Sequence, residues 1–348
     1  MSPLYQLLKP ILFRLDAEKA HHLTMHLLQA MVDIPPAKAL INKLYYGSDE
    51  GLSRNVFGLD FVNPVGLAAG FDKDARYIRD LSLLGFGFIE IGTLTPRPQQ
   101  GNPQPRLFRL PMDRALINRM GFNNLGVEAA AIELEKLRRP AGLIIGGNIG
   151  KNKDTTNENA VNDYLTCLRR LHGLVDYFVV NISSPNTPGL RELQDKEPLR
   201  RLMFTLQEEN QRQAKRSPLL LKIAPDLNEP QLDDILEIAI QAQFAGLVAT
   251  NTTIERSPLV SPPTVWQEIG AGGLSGAPLQ ERSANIMRYL LKNAQGKLPM
   301  IGVGGIDSPA SASQRLEDGA SLIQVYSGLV FEGPDLVKRI KTYLQKSL

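Results

Sequence analysis

Tyr177-Phe178-Val179-Val180-Asn181-Ile182-Ser183-Ser184-Pro185-Asn186-Thr187-Pro188 begins as an apolar run and ends in a knot of amides and hydroxyls. Its first half has the unbroken hydrophobicity of a strand buried on both faces. Its second half sets Asn181, Ser184, Asn186 and Thr187 at that strand's end, where together they can grip a small, planar, polar ligand. No histidine lies near Ser184 in sequence to make it a hydrolase nucleophile. The combination reads as a site that binds through amides and moves a proton through a serine.

Working outward, the same unit recurs. From about residue 60, eight short apolar runs end in Gly, Asn, Lys, Thr or Ser: 65–69, 88–92, 143–149, 178–182, 219–223, 247–250, 300–303 and 322–326. Between them lie helical patterns such as Leu199, Leu202, Met203 and Leu206, or Leu232, Ile235, Leu236 and Ala239. Continuous apolar strands alternating with helices imply a parallel sheet covered on both faces. Eight such units imply an α/β fold of the (β/α)8 TIM-barrel type, which takes ~250 residues and keeps its chemistry at the C-terminal ends of the strands.

Those ends carry a consistent chemistry. The first run leads through Gly66-Leu67-Ala68-Ala69-Gly70, which has little side-chain bulk, to Lys73; a flexible glycine loop with a solvated lysine is the plainer reading of that piece alone. The second ends at Thr93 and continues through a proline-rich excursion to Arg106-Leu107-Phe108-Arg109 and Asn118-Arg119-Met120-Gly121-Phe122-Asn123-Asn124. That last segment is either turn chemistry or a cover that reads a ligand with amides. Asn148 ends the third run, and Thr250-Asn251-Thr252-Thr253 ends the sixth. Lys222 lies inside the apolar Leu219-Leu220-Leu221 strand, where a charge is costly to bury without a partner. Glycine clusters fall at 270–276, 302–305 and 326–328, and loops after the last two strands of this fold often hold a phosphate on backbone N–H groups.

Residues 1–47 differ from the rest. Leu4, Leu7, Leu8, Ile11, Leu12 and Leu15 recur at helical spacing, a second run carries Ala20, Leu23, Leu27, Leu28 and Met31, Pro35-Pro36 breaks the pattern, and a short third stretch follows. The segment reads as a helical hairpin packed on the main domain or as an amphipathic element lying in a membrane interface. A division at 1–47 and 48–348 is expected. Neither a bilayer-spanning apolar run nor a secretory signal is present in this stretch. A net charge of +3 without a long basic run gives no sign of nucleic acid as a partner. The lone Cys167 excludes an intrachain disulfide, and His21, His22, His26 and His172 end no predicted strand, so neither a zinc site nor a Ser-His-Asp triad is supported.

A phosphate cradle, amide clusters, two lysines and a serine cannot easily perform redox or metal chemistry unaided. A phosphate-bearing cofactor would supply it, and flavin mononucleotide (FMN) suits a barrel mouth, with Lys222 near its N1–O2 edge to stabilise the charge of the reduced form. A Schiff-base aldolase using Lys222 or Lys73 is the main competing reading. A scaffold whose first 47 residues bind a partner is a third.

At this point the motifs resemble the dihydroorotate dehydrogenase family, in its membrane-associated, quinone-using class (class 2). The resemblance runs along essentially the whole chain and is most specific at 66–74, 91–109, 117–124, 148–154, 181–189, 222–226, 250–253, 272–276, 302–308 and 326–328. It implies FMN-dependent oxidation of dihydroorotate to orotate in pyrimidine (UMP) synthesis, with one FMN per chain, a ubiquinone- or menaquinone-type acceptor and no metal. Ser184 falls at the implied base position, taking a proton from C5 while hydride leaves C6 for flavin N5, and Thr187 and Phe122 match positions that relay or shield that proton. Lys73, Asn118, Arg119, Met120, Gly121, Phe122, Asn123, Asn181, Asn186, Asn251 and Thr252 match implied substrate positions. Ala69, Lys73, Thr93, Asn148, Asn181, Lys222, Thr250, Gly276, Gly305, Tyr326 and Ser327 match implied flavin positions, and His21, Arg109 and Tyr326 match the implied quinone tunnel. The soluble class carries Cys where this chain has Ser184 and lacks the N-terminal extension. The resemblance therefore implies a monomer attached peripherally to the cytoplasmic face of a membrane, a bacterial inner membrane, through residues 1–47.

Overall fold

Eight parallel strands close on themselves in the computed structural model, which describes residues 2–257 and 259–347. Met1 and Leu348, the outer limits of the two expected segments, lie outside the described residues. The strands are β1 (Val65–Leu67), β2 (Phe88–Leu94), β3 (Ile144–Ile149), β4 (Tyr177–Asn181), β5 (Leu219–Ile223), β6 (Gly246–Ala249), β7 (Met300–Val303) and β8 (Leu322–Val325). Each pairs with the next in sequence, and β8 returns to β1 through Ile323 opposite Val65 and Val325 opposite Leu67. A helix follows every strand, from Ile78–Ser82 after β1 to Leu336–Gln345 after β8. All eight apolar runs in the sequence are barrel strands. Every residue of β2, β4 and β5 is buried, as a sheet sandwiched between a filled interior and a helical coat requires.

The interior is packed by pairing large with small. Cβ atoms on Gly66 and Gly146 would lie 2.3 Å from the rings of Phe88 and Tyr177, so these glycines make room for the two aromatics. A hairpin of Arg54–Val56 and Leu59–Phe61 closes the end opposite the mouth, its Phe61 ring meeting Phe88 edge-on at 5.3 Å. Cys167 is buried on the helix Ala160–Leu171, and burial pushes its thiol up, as expected of an inert core residue.

A second sheet, not foreseen in the sequence, covers part of the mouth. Leu107–Leu110 and Ala115–Asn118 form an antiparallel pair, and Gly273–Gly276 joins its other edge. The proline-rich excursion after β2 therefore leads into ordered structure.

The N-terminal segment forms α1 (Pro3–Arg14), α2 (Ala17–Val32) and α3 (Pro35–Tyr45). Ser2 caps α1 and Asp16 caps α2 through side-chain oxygens, while Pro35 and Pro36 open α3, where a missing N–H is tolerated. The Tyr5 hydroxyl donates to Val330 O and Lys9 Nζ to Phe331 O, tying α1 to the chain after β8. Met25, Leu28, Val32, Ile41 and Tyr45 join the main core, yet α1 buries none of its residues. Leu4, Leu7, Leu8, Ile11, Leu15, Leu23, Leu27, Met31, Ile34, Leu40 and Leu44 are all exposed. Among the described residues no helix is long and apolar enough to cross a membrane.

Candidate active site

The C-terminal ends of the strands open into one cleft, built over a buried polar network. Glu90 on β2 is fully buried at the barrel centre. Asn148 Nδ2 donates to one of its oxygens at 2.7 Å, Gln324 Nε2 donates to the other at 2.6 Å, and Lys222 Nζ lies 3.9 Å away. Burial lowers the Lys222 pKa, and Glu90 opposes that shift. Above this layer Thr93 Oγ1 donates to Asn148 Oδ1, and Asn181 Nδ2 donates to Thr93 Oγ1 at 2.9 Å. The sequence reading named Lys222, Asn148, Thr93 and Asn181 but neither Glu90 nor Gln324. The signal for those two is a polar residue inside an apolar strand, the same one that marks Lys222.

Ser184 lines the cleft and is buried, with its hydroxyl accepting the Asn186 backbone N–H at 3.2 Å. Asn186 Nδ2 donates to the side chain and backbone oxygens of Asn118 at 3.0 Å. Asn251 Nδ2 donates to Ser183 Oγ at 3.0 Å. Asn118, Asn186, Asn251 and Thr252 thus converge on the cleft with Ser184. Phe122 lines it too, at φ +53°, a strained conformation for an aromatic residue that aims the ring inward beside Gly150. The Thr187 hydroxyl is buried without a partner among the described residues and does not line the cleft.

Lys73 forms the opposite wall with Met120 and Gly121. Its ammonium donates to Asn123 Oδ1 and lies 2.9 Å from Met120 Sδ. Desolvation, then the Arg106 charge, push the Lys73 pKa down to about 7 against the pull of Glu18 and Asp74. Asn123 acts from behind Lys73 and Asn148 from behind Thr93, since neither lines the cleft. Arg119 points elsewhere, donating to Ile269 O at 2.7 Å and Pro105 O at 3.1 Å.

The fit to FMN rests on three observations. Ala68, Ala69 and Gly70 leave a shallow, bulk-free side to the cleft. Gln324 Oε1 is buried, belongs to a lining residue and has no hydrogen-bond donor among the described residues. At the far end Gly276 and Gly305 meet Ser327 and Gly328, the first residues of the helix Ser327–Glu332, whose leading N–H groups have no intrahelical acceptor. Gly305 has φ +72°, and a Cβ there would lie 2.4 Å from Cα of Gln280, the first residue of the helix Gln280–Ala294, so only glycine lets this loop approach the helix start so closely. Thr250 and Tyr326 complete the lining. Among the described residues no group of three or more His, Cys, Asp or Glu could hold a metal ion.

An aromatic series runs from the N-terminal helices to this cleft. The His21 ring on α2 meets Phe71 edge-on at 4.8 Å, and Phe71 meets Tyr326 at 5.6 Å. Desolvation, then His22 and Lys73, push the His21 pKa down to about 4, so its ring is neutral at neutral pH. Arg109 sits under the same helices, donating to Leu15 O at 2.8 Å and stacking over Phe13 at 4.8 Å. His21 and Arg109 therefore lie outside the cleft and Tyr326 on its wall.

A closed parallel barrel with a glycine cradle, two lysines and a buried serine at its mouth has the architecture of a TIM-barrel enzyme. The chain belongs to the dihydroorotate dehydrogenase family, whose model, described as "Dihydroorotate dehydrogenase", matches residues 51–348. It is 52% identical over 343 residues to the dihydroorotate dehydrogenase (quinone) of Christiangramia forsetii, covering 98% of this chain and 99% of that one. Identity to the Methylobacillus flagellatus protein of the same name is 50% over 341 residues, covering 97% and 98%. The crystal structure of Eimeria tenella DHODH in complex with ferulenol matches with a TM-score of 0.83 at 38% identity, over 95% of this chain and 91% of that one. Family membership makes the chain an oxidoreductase.

Proposed function

We propose that this chain oxidises dihydroorotate to orotate in pyrimidine synthesis, with FMN held in the cleft and a quinone as electron acceptor. The observation that carries the reading is the convergence of Ser184, Lys73 and four amide or hydroxyl side chains on one cleft above the Glu90–Lys222 pair. When bound, FMN would supply the hydride acceptor and the electron relay to the quinone. Ala69, Thr93, Asn181, Lys222, Thr250, Gly276, Gly305, Tyr326 and Ser327 would hold it, with Asn148 supporting from behind.

Lys73 and the amides of Asn118, Asn186 and Asn251 bind and orient the substrate's carboxylate and ring polar groups. Ser184 Oγ takes the proton from C5. A serine is a weak base in water, so the reaction depends on exclusion of solvent, which Phe122 provides, and on an acceptor for the proton, for which the unpartnered Thr187 hydroxyl is the candidate. Lys222 supplies positive charge at the cleft floor, with Glu90 as its counter-ion at 3.9 Å.

Residues 1–47 are assigned to membrane docking and quinone entry past His21, Arg109 and Tyr326, and residues 48–348 to catalysis. The apolar face left open on α1 to α3 supports this, and the segment's five Lys/Arg against three Asp/Glu favour reversible, peripheral attachment at the cytoplasmic face of a bacterial inner membrane. A monomer with no nucleic-acid partner completes the reading.

The test is an anaerobic visible spectrum of the purified protein before and after dihydroorotate. A flavin band that bleaches is expected. A flavin band that persists would move the substrate assignment elsewhere, and folded, unstripped protein without a flavin band would bring a lysine-based lyase forward.

A further inference from the structure

Glu18 stands out among buried charges because it belongs to the N-terminal helices, not to the barrel. It lies in the first turn of α2, is 4% exposed, and meets Arg106 in a bidentate pair, with Nε to Oε2 at 2.9 Å and Nη2 to Oε1 at 2.7 Å. The remaining guanidinium nitrogen, Nη1, donates to Gln100 O at 2.5 Å and Asn102 O at 2.9 Å. Arg106 is thus fully used, with one side on the helix and the other on the segment 99–102.

That segment in turn holds the substrate wall by its backbone. Asn102 N donates to Met120 O at 3.0 Å and Asn102 Nδ2 to Arg119 O at 2.7 Å. Gln99 Nε2 donates to Gly121 O and Phe122 O, both at 3.1 Å. Four successive carbonyls, from Arg119 to Phe122, are therefore fixed from one side, and Met120, Gly121 and Phe122 line the cleft on the other. A Cβ on Gly101 would lie 2.2 Å from Met120 O, which shows how closely the two segments press together.

We infer that Glu18, acting through Arg106, is a positioning residue for the dihydroorotate subsite, so that the N-terminal helices hold the wall at 119–122 as well as serving the quinone. This inference rests on the function proposed above. Glu18 touches neither substrate nor cofactor; without it Arg106 is a buried cation with no counter-ion and releases the 99–102 segment.

The experiment is a titration of full-length, flavin-loaded protein with orotate, followed by the flavin absorbance change, for the wild type, Glu18→Gln, Glu18→Asp and Asp16→Ala. Glu18→Gln is expected to weaken orotate binding about 2- to 30-fold, the span of couplings carried through packed networks, at unchanged flavin content. Glu18→Asp is expected to recover part of the loss. Asp16→Ala loosens the cap of the same helix without touching Arg106, and is expected to lower thermal stability and leave orotate affinity alone. An unchanged orotate Kd in Glu18→Gln, or an equal loss in Asp16→Ala, overturns the inference. Failure of the wild type to bind orotate sinks the functional reading itself. Should Glu18→Gln not fold, the double variant Glu18→Met/Arg106→Met replaces the ion pair by an apolar contact, and wild-type orotate affinity there overturns the inference equally.

Discussion

Lys222 and Glu90 each place a charge inside a strand that is otherwise apolar, and each answers the other across the barrel. Glu90→Leu leaves the lysine buried and unpaired, an expected loss of about 3–5 kcal/mol, read as a lower urea midpoint together with lower flavin content. Ser184→Ala is expected to keep flavin bound but slow flavin reduction by dihydroorotate about 10²–10⁴-fold in anaerobic stopped flow; an unchanged rate removes Ser184 as the base. Lys73 sets a pH dependence. It is held down at about 7 by desolvation and Arg106, against Glu18 and Asp74, while neighbouring His21, at about 4, stays neutral. Charged below that value and neutral above it, Lys73 should bind the orotate carboxylate fully at about pH 6 and up to about tenfold more weakly per pH unit above 7. Titrations at stepped pH should show this, and Lys73→Met should flatten the profile. Lys222 is legible in sequence because an unpaired charge in Leu219-Leu220-Leu221-Lys222 demands a partner. Glu90 in Phe88-Ile89-Glu90-Ile91 obeys the same rule, but which two charges meet depends on barrel closure, which spacing along the chain does not encode.

At the scale of elements, the N-terminal helices divide their labour between two faces. Met25, Leu28, Val32, Ile41 and Tyr45 pack inward, while Leu4, Leu7, Leu8 and Ile11 of α1 face out, Leu7 being 75% exposed. The double variant Leu7→Glu/Ile11→Glu is expected to abolish vesicle co-sedimentation and cut quinone turnover, with flavin reduction by dihydroorotate unchanged. Equal loss of both activities would make these helices a structural cap. Point changes on the outer face separate the two cases better than removing the segment, which would also strip Glu18 from Arg106. The eight strands are readable because each is a continuous apolar run with small or polar residues at its end. The three-stranded antiparallel sheet is not: Leu107–Leu110 and Ala115–Asn118 have four residues each, and Gly273–Gly276 is half glycine. Short strands of that composition carry the same local signal as loops. Pro35-Pro36 reads as a break in sequence and is the first turn of α3, because both sit where a helix has no use for the missing N–H.

For the whole molecule, the filled barrel decides tolerance to substitution. Gly146→Ala places a methyl group 2.3 Å from the Tyr177 ring, with Glu90 and Phe88 close behind that ring. Overpacking there is expected to cost about 1–3 kcal/mol, as a lower urea midpoint with an unchanged slope. The same close packing seals Cys167, the chain's sole cysteine, with its thiol further suppressed by burial. The native chain therefore offers thiol-directed reagents almost nothing to modify. A cysteine introduced on the outer face, at Leu7 or Leu27, would be the single reactive handle, so a fluorophore or spin label there would report local polarity and immersion depth from one known position, without first deleting a native thiol.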